Sequence, residues 1–190
     1  VEAFARRERV DSLRRQIQTG QASEVNDLIS LNLNCEKLLA DAIYSCESAD
    51  LLEKLWDSVG RLRVLDPTCG SGAFLFAALE ILEVVYAALA DRLEELDPDS
   101  GPVAALQSHG NRRYFLRKHA SMRNLYGTDI MEDAIETAKL RIFLALASCL
   151  ESRSELEPLP DLDFNLKVGN LLVGFESVGD VARVSEGMLI

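Results

Sequence analysis

The run Val64-Leu65-Asp66 is a short apolar stretch that ends on a carboxylate, passes through Pro67-Thr68-Cys69-Gly70-Ser71-Gly72 and leads straight into the helix formers Ala73-Phe74-Leu75. A strand that meets a glycine turn and then a helix leaves its last carbonyls and the first helical amides unpaired, and the helix N-terminus adds about half a positive charge facing the gap. An anionic group is favoured there. Gly70 and Gly72 lack Cβ atoms, so the backbone can take a positive φ and a ligand can lie directly on it. Asp66 supplies a fixed acceptor for an ammonium or a hydroxyl. Together these residues suit the capture of a small zwitterion, with a tight packing turn as the plain alternative.

Two other runs end in residues that could complete such a site. Asn124 to Ile130 reads as a second strand, with Asp129 at its carboxyl end, where two oxygens could accept both hydroxyls of a ribose and Ile130 could lie on a base. Capping of the following helix, which opens on Glu132-Asp133, is the alternative role for Asp129. Phe164 to Gly169 reads as a third strand, followed by Asn170, whose amide can both donate to and accept from an adenine edge. An ordinary turn asparagine after Gly169 is the alternative. Leu75 occupies the place of the third glycine of a dinucleotide fingerprint, and Gly-Lys-Ser/Thr occurs nowhere, so both phosphate-loop readings fall away. The aminoacyl part of S-adenosylmethionine carries the carboxylate and the ammonium that the first turn would hold.

Asp66-Pro67-Thr68-Cys69-Gly70-Ser71-Gly72-Ala73-Phe74-Leu75 resembles the first motif of the amino-group DNA methyltransferases, specifically the N6-adenine enzymes. Asn124-Leu125-Tyr126-Gly127-Thr128-Asp129-Ile130 and Leu159 to Gly174 extend the likeness, which runs from about Leu51 to Phe175 and points to the large single-chain adenine methylases of restriction-modification and phage-defence systems. The resemblance implies an α/β fold: a partial Rossmann-like class I methyltransferase sheet of about three parallel strands with an N-terminal helical part. It implies S-adenosylmethionine held by Asp66, Pro67, Thr68, Cys69, Gly70, Gly72, Ala73, Phe74, Asp129, Ile130, Asn170 and Leu171, and double-stranded DNA as the partner of the full-length protein. A small-molecule or protein methyltransferase is the alternative enzyme, although its usual first motif is acidic-x-Gly-x-Gly-x-Gly. A non-catalytic scaffold of the same fold is the alternative of another class. Enzymes of the resembled family hold the target amine with Asn/Asp-Pro-Pro-Tyr/Phe, and no Pro-Pro pair occurs here. The expectation is therefore a cofactor-binding N-terminal portion that does not transfer methyl groups alone, with no catalytic residue and no metal ligand in the chain.

Around these motifs the elements can be placed by periodicity. Residues 1–60 carry helical spacing without strand signals, as in Leu38, Leu39, Ile43 and then Leu51, Leu52, Leu55, which predicts an N-terminal helical region before a core over 61–175. Phe74, Ala77, Ala78, Ile81, Leu82, Val85 and Leu89 give the first crossover helix a broad apolar face. Asp129 lies far downstream of the glycines, whereas a simple Rossmann unit places its ribose carboxylate ~20 residues on, so an insertion is expected over about 96–122. It opens on the turn residues Asp97 to Pro102. Ala134 to Leu150 predicts the next helix, and 176–190 reads as a tail leading toward the absent catalytic half.

The chain has 190 residues, 48% hydrophobic, enough for one domain with a real core. A net charge of −11 excludes DNA binding over the whole surface, because phosphate contacts need Lys and Arg. Arg112, Arg113, Arg117 and Lys118 form the one suitable local patch, alongside Tyr114, Phe115, His119 and Arg123; a solvated helix face with the aromatics turned inward is the alternative. Cys35, Cys46, Cys69 and Cys149 lack paired metal spacing, so reduced thiols are expected. No apolar run near the ~18 residues of a membrane span is expected, Val1 to Arg7 lacks the apolar core of a secretory signal, and a cytoplasmic location is expected. The first strand would keep one bare edge, which Val181 to Ile190 or a second copy in a homo-oligomer would cover.

Overall fold

The computed structural model describes residues 12, 15–21, 26, 35–152, 155 and 157–171. It divides into two compact units, Val1–Ser45 and Cys46–Ile190. In the first, residues 15–18 are helical and the turn at Thr19-Gly20 ends them, with Gly20 at a φ of 73°. Helix α1 (Cys35–Tyr44) follows, with Ile43 buried. Val25, Leu28 and Ile29, whose spacing also fits a helix in the sequence, lie outside the described residues, as do Leu172 to Phe175, the 176–190 tail and the proposed edge cover Val181 to Ile190.

The second unit opens on α2 (Ala49–Arg61), whose N-cap Ser48 accepts the amide of Leu51 and whose Leu52, Trp56 and Gly60 are buried. This helix packs on α3 (Ala73–Leu96) and α5 (Arg112–Asn124), so it belongs to the core unit rather than to an N-terminal region running to residue 60. Strands β1 (Val64–Asp66), β2 (Leu125–Asp129) and β3 (Leu166–Val168) form one parallel sheet in the order β1-β2-β3. Val64 pairs with Leu125 and Asp66 with Gly127, while Gly127 pairs with Leu166 and Asp129 with Val168. All three carboxyl ends thus come to one rim. Leu125, Gly127 and Leu166 are buried on one face, against α3 and α6 (Glu132–Ala147), whereas Leu65 and Lys167 on the other face are exposed.

Helix α3 has 24 residues, and by length and composition it could cross a membrane. The expectation that no run approaches that length is corrected: Glu80 and Glu83 interrupt the run without making it too polar to meet the composition of a span. In this fold α3 is the central helix, packed by α2, α5, α6, β1, β2 and α4 (Gly101–Gln107), with Leu75, Leu79, Tyr86, Leu89 and Leu93 fully buried. The expected insertion is the α4 and α5 pair, which begins after the turn at Asp97–Ser100 and returns into β2 at Leu125.

Two buried asparagines fix where the strands start. Asn124 donates to the carbonyls of Val59 (2.7 Å) and Leu62 (2.9 Å) and accepts the Tyr86 hydroxyl (3.0 Å). Asn165 donates to the carbonyls of Met122 (3.0 Å) and Leu125 (2.7 Å). These bonds satisfy backbone groups that the helix ends and strand starts leave over.

Trp56, Tyr86, Phe115 and His119 form an aromatic cluster between α2, α3 and α5, with His119 5.6 Å from Trp56 and 5.2 Å from Tyr86 between ring centroids. Burial pushes the His119 imidazole below its ordinary range, and the Arg123 charge adds to this. The unfolded chain then binds the proton more readily than the folded one, so stability is complete above the unfolded value of about 6.5 and falls as pH drops through the lower folded value. Urea unfolding followed by Trp56 fluorescence at about pH 7 and about pH 5.5 should show a lower midpoint in acid. His119→Phe should flatten that difference, and an equal acid loss in the variant would refute the assignment.

Candidate functional site

The first turn is built by its glycines. Gly70 and Gly72 have φ values of 50° and 76°, left-handed conformations that side chains resist. Gly72 is also the N-cap of α3, donates its amide to the Cys69 carbonyl at 2.8 Å and accepts that of Phe76 at 2.9 Å. A Cβ on Gly72 would lie 2.9 Å from Ala138 Cβ, so α3 and α6 meet there across a bare backbone. A Cβ on Gly70 would meet nothing within 4 Å, so that side of the turn is open. No side chain caps α3, and its first turn holds no acid, which leaves its first amides without a side-chain acceptor of the helix's own.

Three hydrogen bonds tie this turn to the end of β2. The Thr128 hydroxyl donates to the Pro67 carbonyl at 3.0 Å, the Cys69 amide to the Thr128 carbonyl at 2.9 Å, and the Gly70 amide to Asp129 Oδ2 at 2.8 Å. Asp129 Oδ1 accepts the Met131 amide at 2.9 Å. The Met131 and Gly70 amides hold the Asp129 carboxyl below the usual carboxylate range, so it is ionised at neutral pH. A carboxylate has about four lone-pair sites, and these amides do not fill them all. Both roles read for Asp129 are thus geometrically open, since it braces the start of α6 and still faces the turn.

The Gly169 amide donates to the Asp129 carbonyl at 2.9 Å, which brings the β3 end, and with it Asn170 and Leu171, to the same rim. Asp66 Oδ1 accepts the Thr68 amide at 3.2 Å, while Asp66 Oδ2 is buried without a partner. Such an orphan acceptor is costly unless a donor arrives. Phe74, Ile130 and Leu171 expose 81%, 68% and 56% of their surface, apolar area in excess of what the fold needs. Ala73 and Thr68 are exposed, and Pro67 is half-buried. Cys69 is buried beneath the turn, and burial together with the Asp66 and Asp129 charges pushes its thiol up, which keeps it from acting as a nucleophile. Cys46, Cys69 and Cys149 are free thiols, and no group of metal ligands forms among the described residues.

Thr128 and Gly127 escaped the sequence reading. A Cβ on Gly127 would stand 2.8 Å from Leu75 Cδ1 and 3.0 Å from Cys69 Sγ, so β2 needs glycine for the turn and α3 to settle on it. A lone glycine inside a strand pattern is a signal of such close approach. Alongside, the outer edge of β1 and one side of α3 frame an open groove of about 420 Å³, walled by Leu65, Pro67, Phe74, Ala77, Ala78 and Ile81. This is the flank expected to be bare, and β1 is paired on one side only among the described residues.

The basic patch is committed inside the unit. Arg112 pairs with Asp91 and Glu94, Arg113 and Arg117 share Glu83, and Lys118 bonds Glu157 and the Pro158 carbonyl. Arg117 is buried and also donates to the Ala145 carbonyl at 3.0 Å. Tyr114 is buried, and Phe115 joins the aromatic cluster. These pairs hold α5 to α3 and to the segment before β3, while Arg112 and Arg113 stay partly exposed.

Comparison with known proteins adds two findings. The profile of the family described as the MmeI DNA-methyltransferase domain matches residues 42–161. A protein of Methanocaldococcus jannaschii, named as a type II restriction enzyme and methyltransferase (RM.MjaORFECS2P), is 31% identical over 160 residues, 80% of this chain. The chain spans 12% of that relative's length. No solved structure matches it.

Proposed function

The chain belongs to the MmeI DNA-methyltransferase domain family, and from that premise we propose that its second unit captures S-adenosylmethionine for a site-specific adenine-N6 DNA methyltransferase of a restriction-modification or phage-defence system. One observation carries the cofactor reading: the buried, partnerless Asp66 Oδ2 stands beside a glycine turn whose Gly70 side is open. Asp66 would take the ammonium, and the amides at the start of α3 would take the carboxylate. The free lone pairs of Asp129 would accept the ribose hydroxyls, with Ile130 on the adenine face and Asn170 and Leu171 at the base edge. When bound, the cofactor supplies a sulfonium methyl group open to attack by an amine. The chain's own residues bind and orient; the step that holds and deprotonates the target amine is assigned to none of them, since no Asn-Pro-Pro-Tyr run occurs in the sequence. Double-stranded DNA is the proposed partner of the longer protein.

Calorimetric titration of the 190-residue chain with S-adenosylmethionine tests the reading. Saturable binding is expected, and Asp129→Ala should weaken it about tenfold to a hundredfold, the loss of a charge-assisted pair of hydrogen bonds. Unchanged affinity in the variant would remove the ribose role. Absence of any heat with the folded parent chain would remove the cofactor.

A further inference from the structure

We propose that Thr128 is a positioning residue for this site: its hydroxyl clasps the turn after β1 and holds it in binding shape before any ligand arrives. The inference rests on the cofactor reading for its purpose and on geometry for its content. The β1–β2 ladder ends at the pair Asp66 and Gly127, so the turn from Pro67 to Gly70 projects past the last ladder position. What holds it there is the set of three bonds to Thr128 and Asp129. The bond from the Cys69 amide reaches a backbone carbonyl and would be made by any residue at 128. The bond from the Gly70 amide draws on Asp129, whose remaining lone pairs are the ones a ribose would use. The Thr128 hydroxyl is therefore the one side-chain tie in this set that a ligand does not compete for. Valine has the same shape and the same preference for strands, so strand formation gives no reason for a hydroxyl at this position. Its evident work is on the Pro67 carbonyl, which keeps Asp66 and Gly70 facing the same space.

Thr128→Val and Thr128→Ser in the full 190-residue chain separate this role from a structural one. Amide hydrogen exchange measured without ligand should quicken about three- to tenfold at Cys69 and Gly70 in the valine variant, with the amides of central α3 unchanged. Affinity for S-adenosylmethionine should fall by a similar factor, and serine should restore both readouts. If valine prevents folding, Thr128→Ala takes its place under the same criteria. Exchange at the turn equal to the parent, a rise spread evenly over α3 and α6, or failure of serine to rescue would each overturn the clasp. Because exchange is read without ligand, a parent chain that binds no cofactor would strike the functional reading alone and leave the clasp to be judged on exchange.

Discussion

Gly72→Ala is expected to destabilise the second unit by about 3 kcal/mol, and to lower its unfolding temperature by roughly 10 °C in a calorimetric scan. Two costs add. A φ of 76° forces an L side chain into the left-handed region, and the new Cβ would press on Ala138 Cβ at 2.9 Å and Ala138 Cα at 3.3 Å. The neighbouring substitution separates the two: Gly70→Ala meets the same conformational penalty at a φ of 50° but no atoms within 4 Å, so it should cost only about 1 kcal/mol. Trimming the opposing residue as well, in Gly72→Ala with Ala138→Gly, should recover part of the loss and reveal a coupling between them. Equal losses at Gly70 and Gly72 would show that the contact between α3 and α6 is looser than described.

The second large effect concerns Glu83, which accepts from Arg113 and Arg117 together and is itself mostly buried. Glu83→Ala leaves the Arg117 guanidinium, with 7% of its side chain exposed, facing no carboxylate. Removing one partner of a buried pair costs about 3 to 5 kcal/mol, because the remaining charge keeps its desolvation penalty. Glu83→Gln retains an acceptor of the same shape and should lose less. Denaturant midpoints for the two variants decide the matter: a loss under about 1 kcal/mol for alanine would place Glu83 among surface ion pairs of little consequence. The result also bears on nucleic acid. If the α5 arginines serve packing, their loss should move stability and not any affinity for DNA.

The site's outline could be read from residue types because its parts are local. Asp-Pro-Thr-Cys-Gly-Ser-Gly announces a strand, a turn and a helix within a dozen positions; Asp129 ends the second strand, and Asn170 follows the third, which stops at Val168, short of the Gly169 expected from the sequence. Parallel pairing of the three strands was implied by the family resemblance, and the helical excursion between the first two strands by the distance from the glycines to Asp129. What stayed hidden depends on partners distant in the chain. Arg112, Arg113 and Arg117 look like an uncommitted cationic patch until α3 brings Asp91, Glu94 and Glu83 against them across an antiparallel helix packing that periodicity does not specify. Thr128 reads as a β-prone filler until the turn is seen to curl back over it. The helix Ala49–Arg61 looks like the last of an N-terminal series, because its amphipathic spacing does not say which unit receives Trp56.

Asn124 and Asn165 hold the strand entrances with amides, groups that carry no charge at any pH a protein survives. The opposite rim carries the carboxylates. Alignment of the three strands is thereby decoupled from the ionisation of the groups that would meet a ligand. In evolutionary terms the binding rim can be rewritten residue by residue while the footing beneath it stays level, which is how one scaffold comes to host diverging specificities.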